Sequence, residues 1–498
     1  NPYVYMGLQK ALFQFIKNNS RNGEEEVDLE SIDPPENGLD FKLYNLMKKK
    51  MITLAMVLFT FLSCSNKDYF DEGHVDLTPG YTIEEEDTYK VYTLNHPCLM
   101  HTNDDFQYVV GKIKTGAQPW GAAWEFLEQN QYTQLNENWT TDAPEILLRN
   151  SSGGNFKVAR EPGLAAYYLA LRWRIAEGLG EEDAYKYADK AVKILDNWST
   201  VCKAIQVENT NDHYALVTGF DGHRFAQAAE VMRDYQPWVD NGGFSKFQTW
   251  LKNVVAGPAT YFISQKTDPY WSWGGWEVPN VAIMLAIGIV CDDQDMINEA
   301  INYYKHGPSS GCIQHLVVAL HQDPAGLGEG YCLGQADESG RDQDHAGLSM
   351  ATLAPMCQAA YNIGEDLYGI KANDSFTTED GRVYNRYPKY AEYGDVNLTL
   401  AFFEYYAKFN CDPIEAVDMP FTYWETRHGQ QNEISYQGRG HFYAGYEMIY
   451  SHYKHVKGVS APYSKKFAEK YRPATSIHPF EYDNDFPGIG TLMFYKGE

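Results

Sequence analysis

The sequence predicts an all-α protein, an (α/α) toroid or incomplete (α/α) barrel carried by one large domain. Three observations point there. After residue 95 apolar residues recur at three- and four-residue spacing, strand-like alternation is scarce, and no break in composition divides residues 95–498. A chain of 498 residues has room for two or three domains, yet helical toroids use such a length as one. No repeat of fixed length occurs, which argues against a TPR-type solenoid.

In chain order, the first strong signal is "MKKKMITLAMVLFTFLSCS" from Met47. Three lysines, a short apolar segment at Met51–Leu62 and a Ser63-Cys64 ending form the layout of a bacterial lipoprotein signal (47–64), with Cys64 as the lipidated residue. The apolar segment is short for a membrane span. Residues 1–46 start at Asn1 and contain the acidic "NGEEEVDLESIDPPENG". They read as a spurious extension ahead of a natural start at Met47. Residues 65–94 read as a polar tether. The expected address is therefore exported and lipid-anchored, periplasmic or at the outer membrane or cell surface of a bacterium.

The domain at 95–498 alternates helical runs with turns rich in Gly, Pro and Asn. "GLAAYYLALRWRIAEGLG" and "EEDAYKYADKAVKILDNW" form a helix hairpin, with Gly178 and Gly180 supplying the stop. Further helices are expected in "GHRFAQAAEVMRDY", "FSKFQTWLKNVVAGPATYFI", "VPNVAIMLAIGIVCDD", "DMINEAINYYKHG", "HAGLSMATLAPMCQAAYNIG", "VNLTLAFFEYYAKFN" and "GHFYAGYEMIYSHYKHV". Successive antiparallel pairs place functional residues at helix starts and in long loops around a central cleft.

A net charge of -26 argues against nucleic acid or an anionic membrane surface as partner, since both need a basic footprint. A polyanionic substrate would need Arg, Lys and His gathered locally in a cleft. The eight cysteines are scattered without a CxxC pair, so no zinc ribbon is indicated. The 38 Tyr, 24 Phe and 11 Trp suit either sugar-stacking surfaces or a Tyr-rich helical core.

Several segments, taken in order, resemble the alginate-lyase domain family of helical-toroid polysaccharide lyases. They are "HPCLMHTNDDFQYVVGKIKTGAQPW", "FDGHRFAQAAEVMRDY", "WGGWEVPNVAIMLAIGIVCDD", "ESGRDQDHAGLSMATLAPMCQAAYNIGEDLYG", "FFEYYAKFN", "YEMIYSHY" and "RPATSIHPFEYDNDFPGIGTLMF". Departures include Asp344, where many relatives carry Gly, and the insertion "IKANDSFTTEDGRVYNRYPKYAEYGD". The resemblance implies β-elimination on a uronic-acid glycan such as alginate, the expected anionic partner.

Such an elimination removes the C5 proton, which is too weakly acidic while the adjacent carboxylate is ionised. The chemistry therefore asks for a carboxylate neutraliser, a base and an acid. In "GQADESGRDQDHAGLSM", His345 is the first choice for proton transfer or neutralisation, with Glu338 to orient it. Asp344 is read as the helix N-cap. Arg341 either grips a substrate carboxylate or is braced by Glu338 or Asp342, with the brace favoured. Tyr405 and Tyr393 are candidate proton carriers, and Arg386, seven residues before Tyr393, falls on the same helix face if that stretch is helical. His223 with Arg224, and Arg439 with His441, are further substrate-binding candidates. Trp273, Trp276 and Trp271 are candidates for stacking on sugar. Residues 337–348 lack the EF-hand pattern and no HExxH occurs, so no metal or other cofactor is expected. Two rival readings are a glycoside hydrolase using Glu338 with Asp342 or Asp344, and a non-catalytic glycan-binding surface lipoprotein.

Overall fold

A computed structural model describes residues 89–139, 143–208, 212–269, 273–323, 331–378, 381–411, 418–426, 429–440, 445–473 and 490–497. The expected signal segment with Cys64, Trp271 and His441 lie outside these residues. The described chain belongs to one compact unit, Ile83–Glu498.

The main helices are α1 (Asn103–Lys114), α2 (Trp120–Gln129), α3 (Lys157–Leu179), α4 (Tyr185–Val201), α5 (Gly222–Met232), α6 (Gly243–Trp250), α7 (Gly257–Ser264), α8 (Gly274–Val290), α9 (Gln294–His306), α10 (Gln343–Asn362), α11 (Leu398–Cys411), α12 (Gly445–Ser451), α13 (Pro462–Tyr471) and α14 (Gly490–Phe494). Helices α5, α8 and α10 are buried on nearly all sides, whereas α4, α9 and α13 bury one face. That difference marks inner and outer layers. The inner helices adjoin in the succession α3, α5, α8, α10 and α12, and then α14 and α1 lead back to α3. The circuit closes, with α4 outside α3, α9 outside α8, and α13 outside α12. This is the expected (α/α) toroid.

The α3–α4 hairpin forms as its apolar spacing predicts. Gly180 takes φ 86° at the end of α3, a left-handed conformation that favours glycine.

The inner helices run parallel. Arg233, following α5, donates to the Val290 carbonyl at the end of α8 at 2.7 Å. Near the end of α5, Glu230 accepts from Cys98 N at 2.9 Å, and at the end of α10, Asn362 donates to the Leu99 carbonyl at 2.7 Å. The N-terminal ends of these helices consequently share the other side of the ring.

Three features depart from the expected pattern. First, the antiparallel pair β1 (Val317–Gln322) and β2 (Cys332–Ala336) sits against α11. All five residues of β2 are buried, so no alternation announces it. A Cβ on Gly334 would stand 2.8 Å from Phe402 N, so only glycine lets α11 lie this close to the strand. Second, the run 244–263 is two helices, α6 and α7, joined by a π-helical turn at Leu251–Ala256. Third, packing against the toroid already begins within the stretch read as tether. There Lys90 N donates to Asn298 Oδ1 at 2.9 Å and Tyr92 N to Gln294 Oε1 at 2.8 Å. Among the described residues the seven cysteines form no disulfide.

The first segment is clamped by His96, whose Nδ1 meets Glu230 at 2.6 Å and whose Nε2 meets Asp292 at 2.9 Å. Arg233 completes the cluster, 3.2 Å from each carboxylate. Burial lowers the imidazole's affinity for its proton, but the bond to Glu230 and the carboxylate charges outweigh it and hold His96 above its ordinary value. Glu230, which burial pushes up, is held below its ordinary value by His96 and Arg233.

The sign of the pH effect follows. The His96 contribution is complete below its unfolded value of about 6.5 and is lost as pH rises through the raised folded value. The Glu230 contribution is complete above about 4.3 and is lost on acidification through the lowered one. His96→Gln is expected to lower the urea midpoint at about pH 6 and to approach the wild type at about pH 9. An equal loss at both pH values would show that the charge on His96 contributes nothing.

Candidate active site

Strand β2 delivers the chain to Asp337 and Glu338, both buried. Their carboxylates accept from the first two amides of α8, with Gly274 N to Asp337 Oδ2 at 2.8 Å and Gly275 N to Glu338 Oε2 at 2.7 Å. Such amides lack partners within their helix and carry its positive end, so carboxylates fit there. Burial still pushes both groups up. Asp337 is driven well above the usual carboxylate range, with the neighbouring Glu338 charge adding to burial. For Glu338, Arg341 and His345 offset part of the rise.

From Glu338 a chain of contacts runs outward. Arg341 Nη1 donates to Glu338 Oε1 at 2.8 Å, and Arg341 Nη2 lies 2.9 Å from His345 Nε2. His345 Nδ1 lies 2.7 Å from each Asp342 oxygen. With Arg341 donating to Nε2, Nδ1 carries the ring proton and directs it at Asp342. The Arg341 guanidinium rests over Trp273, 4.9 Å from the ring centroid. Arg341 is thus braced by Glu338, as favoured from the sequence, while Asp342, rather than Glu338, orients His345.

Asp342 is also the N-cap of α10, accepting from His345 N at 2.8 Å. This corrects the reading of Asp344 as the cap. Asp342 satisfies the helix amide and the imidazole with one carboxylate, whereas Asp344 lies within the first turn. The loop at 429–440 fastens this start in place: Gln343 N donates to the Gln437 carbonyl at 2.8 Å and Gly340 N to Gln431 Oε1 at 2.7 Å.

Opposite this wall stands the start of α5, reached through a π-helical turn at Val217–Asp221. Thr218 donates to Asn280 Oδ1 at 2.5 Å, and Asn280 Nδ2 donates to the Ala215 and Trp276 carbonyls at 2.8 Å each, pinning the turn to α8. Asp221 pairs with Arg224 at 2.5 Å. Burial raises the Asp221 carboxyl, while Arg224, Arg160 and Arg149 pull it back. Those three guanidinium groups therefore share one neighbourhood. His223, beside them, is held neutral by burial and by the Arg224 charge, lowered to about 4.

Between the two walls lies Trp276, which packs on Leu216, Phe220 and Leu348. His213 stands edge-on to Trp276 at 5.0 Å, its proton affinity lowered by burial and then by Arg149. Sequence reasoning missed His213, Arg149 and Arg160. Arg149 sits in a two-residue strand and His213 before a three-residue helical turn, while Arg160 lies in the first turn of α3, ahead of the stretch read as helical; the one available signal was a His between Asp212 and Tyr214.

The other sequence candidates lie elsewhere. Tyr405 is buried, donating to the Pro420 carbonyl at 2.9 Å, and burial pushes its phenol far up. Tyr393 donates to the Leu320 carbonyl at 3.1 Å. Arg386 contacts His306 at 3.1 Å and covers Phe376. Tyr393 ends a 3₁₀ turn at Pro388–Tyr393, and Arg386 precedes that turn, so the expected shared helix face does not exist; Pro388 sets the turn's start. Arg439 donates to the Phe409 carbonyl at 2.7 Å from the loop near the α10 start.

No family model and no curated protein matches the chain. Among solved structures it is similar to an alginate lyase from Bacteroides ovatus, at 11% identity and a TM-score of 0.46, over 81% of this chain and 100% of that one. It is also similar to alginate lyase A1-III from Sphingomonas species A1, at 14% identity and a TM-score of 0.42, over 76% and 94% of the two chains. A variant of A1-III complexed with tetrasaccharide matches at 14% identity and a TM-score of 0.43, over 81% and 99%.

Proposed function

We propose that the protein is a polysaccharide lyase that cleaves a uronic-acid-containing glycan, alginate being the first substrate to test, by β-elimination. One observation carries the reading. In a chain of net charge -26, Arg149, Arg160 and Arg224 gather on Asp221, Arg149 also acts on His213 against Trp276, and Arg341 meets His345 at the start of α10. This is the local basic concentration a polyuronate requires.

In this reading Arg341 turns from His345 toward the substrate carboxylate and stabilises the charge that develops as C5 loses its proton. Its departure frees His345 Nε2 to take that proton, while Asp342 stabilises the resulting imidazolium. The His345 imidazolium then gives that proton to the leaving oxygen as the C4–O4 bond breaks and the C4–C5 double bond forms, and His213, beside Trp276, is assigned a hydrogen bond to the substrate. A hydrolase needs two carboxylates facing the glycosidic bond, but Glu338 is buried beneath Arg341 and Asp342 is engaged with His345.

The test incubates the protein with alginate, glucuronan and neutral glycans. Ultraviolet absorbance of an unsaturated uronate is the expected product signal, and His345→Ala is expected to lose about 10²–10⁴ in rate. New reducing ends without that absorbance would replace the lyase by a hydrolase, and full activity of His345→Ala would displace the site. The proposed address, a lipid anchor at Cys64, rests on the sequence signal alone. Fatty-acid labelling that Cys64→Ala abolishes is expected, and labelling that survives the substitution would reject the anchor.

A further inference from the structure

At the end of the ring away from the Arg341–His345 rim, the C-terminal ends of α10 and α12 and the first turn of α1 line a cavity of about 650 Å³. His345 and Asn362 stand near opposite ends of the 20-residue α10, which spans about 30 Å. The cavity is thus far from the candidate active site.

Two of its lining side chains, Ser451 and His452, are each 4% exposed, and Ser451 Oγ and His452 Nε2 have no hydrogen-bond partner. A buried polar atom left unpaired is unfavourable, so two neighbours on one cavity wall call for a bound group. The backbone widens at this place, since α12 passes into a π-helical turn at His452–Lys457, a distortion frequent at functional sites. Burial, and then the Lys457 charge, lower His452 to about 4. It is neutral near pH 7, with one ring nitrogen donating and the other accepting.

The remaining lining selects the ligand. Tyr361 meets His452 edge-on at 4.7 Å and is itself 38% exposed, leaving part of its ring for the apolar face of a pyranose. Gln358 and Asn362 add amides to the same wall. The charged lining residues, Asp105 and Lys496, are closed on each other at 2.9 Å, so they give no net charge to grip an anion. Helix C-terminal carbonyls likewise favour hydroxyl donors over anions. A hydroxyl both donates and accepts, which suits a serine beside a neutral histidine.

We propose that this cavity is a second ligand site, separate from the proposed active site, that takes a neutral, hydroxyl-rich saccharide unit. The full chain is titrated with cellotriose, mannotriose and maltotriose, and with a mannuronate trisaccharide, by calorimetry and saturation-transfer NMR. At least one neutral trisaccharide is expected to bind at millimolar concentration. Tyr361→Ala is expected to weaken that binding about tenfold or more and to leave any elimination activity unchanged. Arg341→Ala is expected to leave it within about twofold. Ser451→Ala removes one unpartnered hydroxyl without touching Tyr361 and serves if Tyr361→Ala does not fold, with weakened binding again expected. The proposal is overturned if no neutral trisaccharide binds, if binding survives both cavity variants, or if the mannuronate trisaccharide binds this site more tightly. Absence of lyase activity would leave it standing.

Discussion

Arg341→Ala is expected to lower the rate of uronate elimination about 10²–10³-fold, the usual effect of removing one preorganised donor from a developing anion. The same guanidinium contacts Glu338 at 2.8 Å and His345 Nε2 at 2.9 Å, and rests on Trp273. Its loss removes the carboxylate grip and leaves Glu338 buried without that positive partner. Burial already favours the protonated carboxyl there, so Glu338 is expected to take up a proton and the fold to persist. Arg341→Lys keeps the charge but loses the planar fork, and is expected to recover only part of the rate. Initial rates on alginate and glucuronan, with kcat and KM separated, check this. A variant within about threefold of the wild type would remove Arg341 from the reaction.

Asp323→Ala is expected to cost about 3–5 kcal/mol of stability, the usual effect of stranding a buried charge. Lys408 and Asp323 meet at 2.5 Å with side chains 5% and 1% exposed. The Tyr463 hydroxyl donates to Asp323 at 2.8 Å and accepts from Lys408 Nζ at 3.0 Å. Three elements are joined at this point, since Asp323 follows β1 while Lys408 and Tyr463 belong to α11 and α13. Glu404, one turn before Lys408, accepts from Tyr463 N at 3.0 Å, Ser464 N at 2.7 Å and the Tyr331 hydroxyl. Urea unfolding measures the loss, and Asp323→Leu combined with Lys408→Met is expected to restore most of it. A loss below about 1 kcal/mol in the single variant would mean that Lys408 finds another partner.

The helices were legible because burial on one stripe forces a 3.6-residue period, and the α3–α4 hairpin with its Gly180 stop follows its spacing. Strand β2 was not, since burial on both faces erases alternation. The π-helical turns at 217–221 and 251–256 escaped because each adds a single residue to an otherwise helical run. At the site, "ESGRDQDH" announced Glu338, Arg341 and His345 together, but two aspartates compete for the cap. Only the folded helix start brings Asp342 to both the amide and the ring of His345. The tyrosines misled for a physical reason: in a Tyr-rich core a phenol beside apolar residues usually donates to a backbone carbonyl, as Tyr405 and Tyr393 do.

The parallel course of the inner helices makes the two ends of the ring electrostatically different. One mouth collects amide ends and the other collects carbonyl ends, so the same helices present opposite partial charges to the two sides. At the amide end that polarity adds to the arginines, so the polyanion of the proposed reaction would meet a favourable field within about one Debye length, 8–10 Å. At the carbonyl mouth an anion finds no such pull, and uncharged molecules meet less competition. If both proposed sites hold, their ligands would be sorted by charge at the two ends without any moving part.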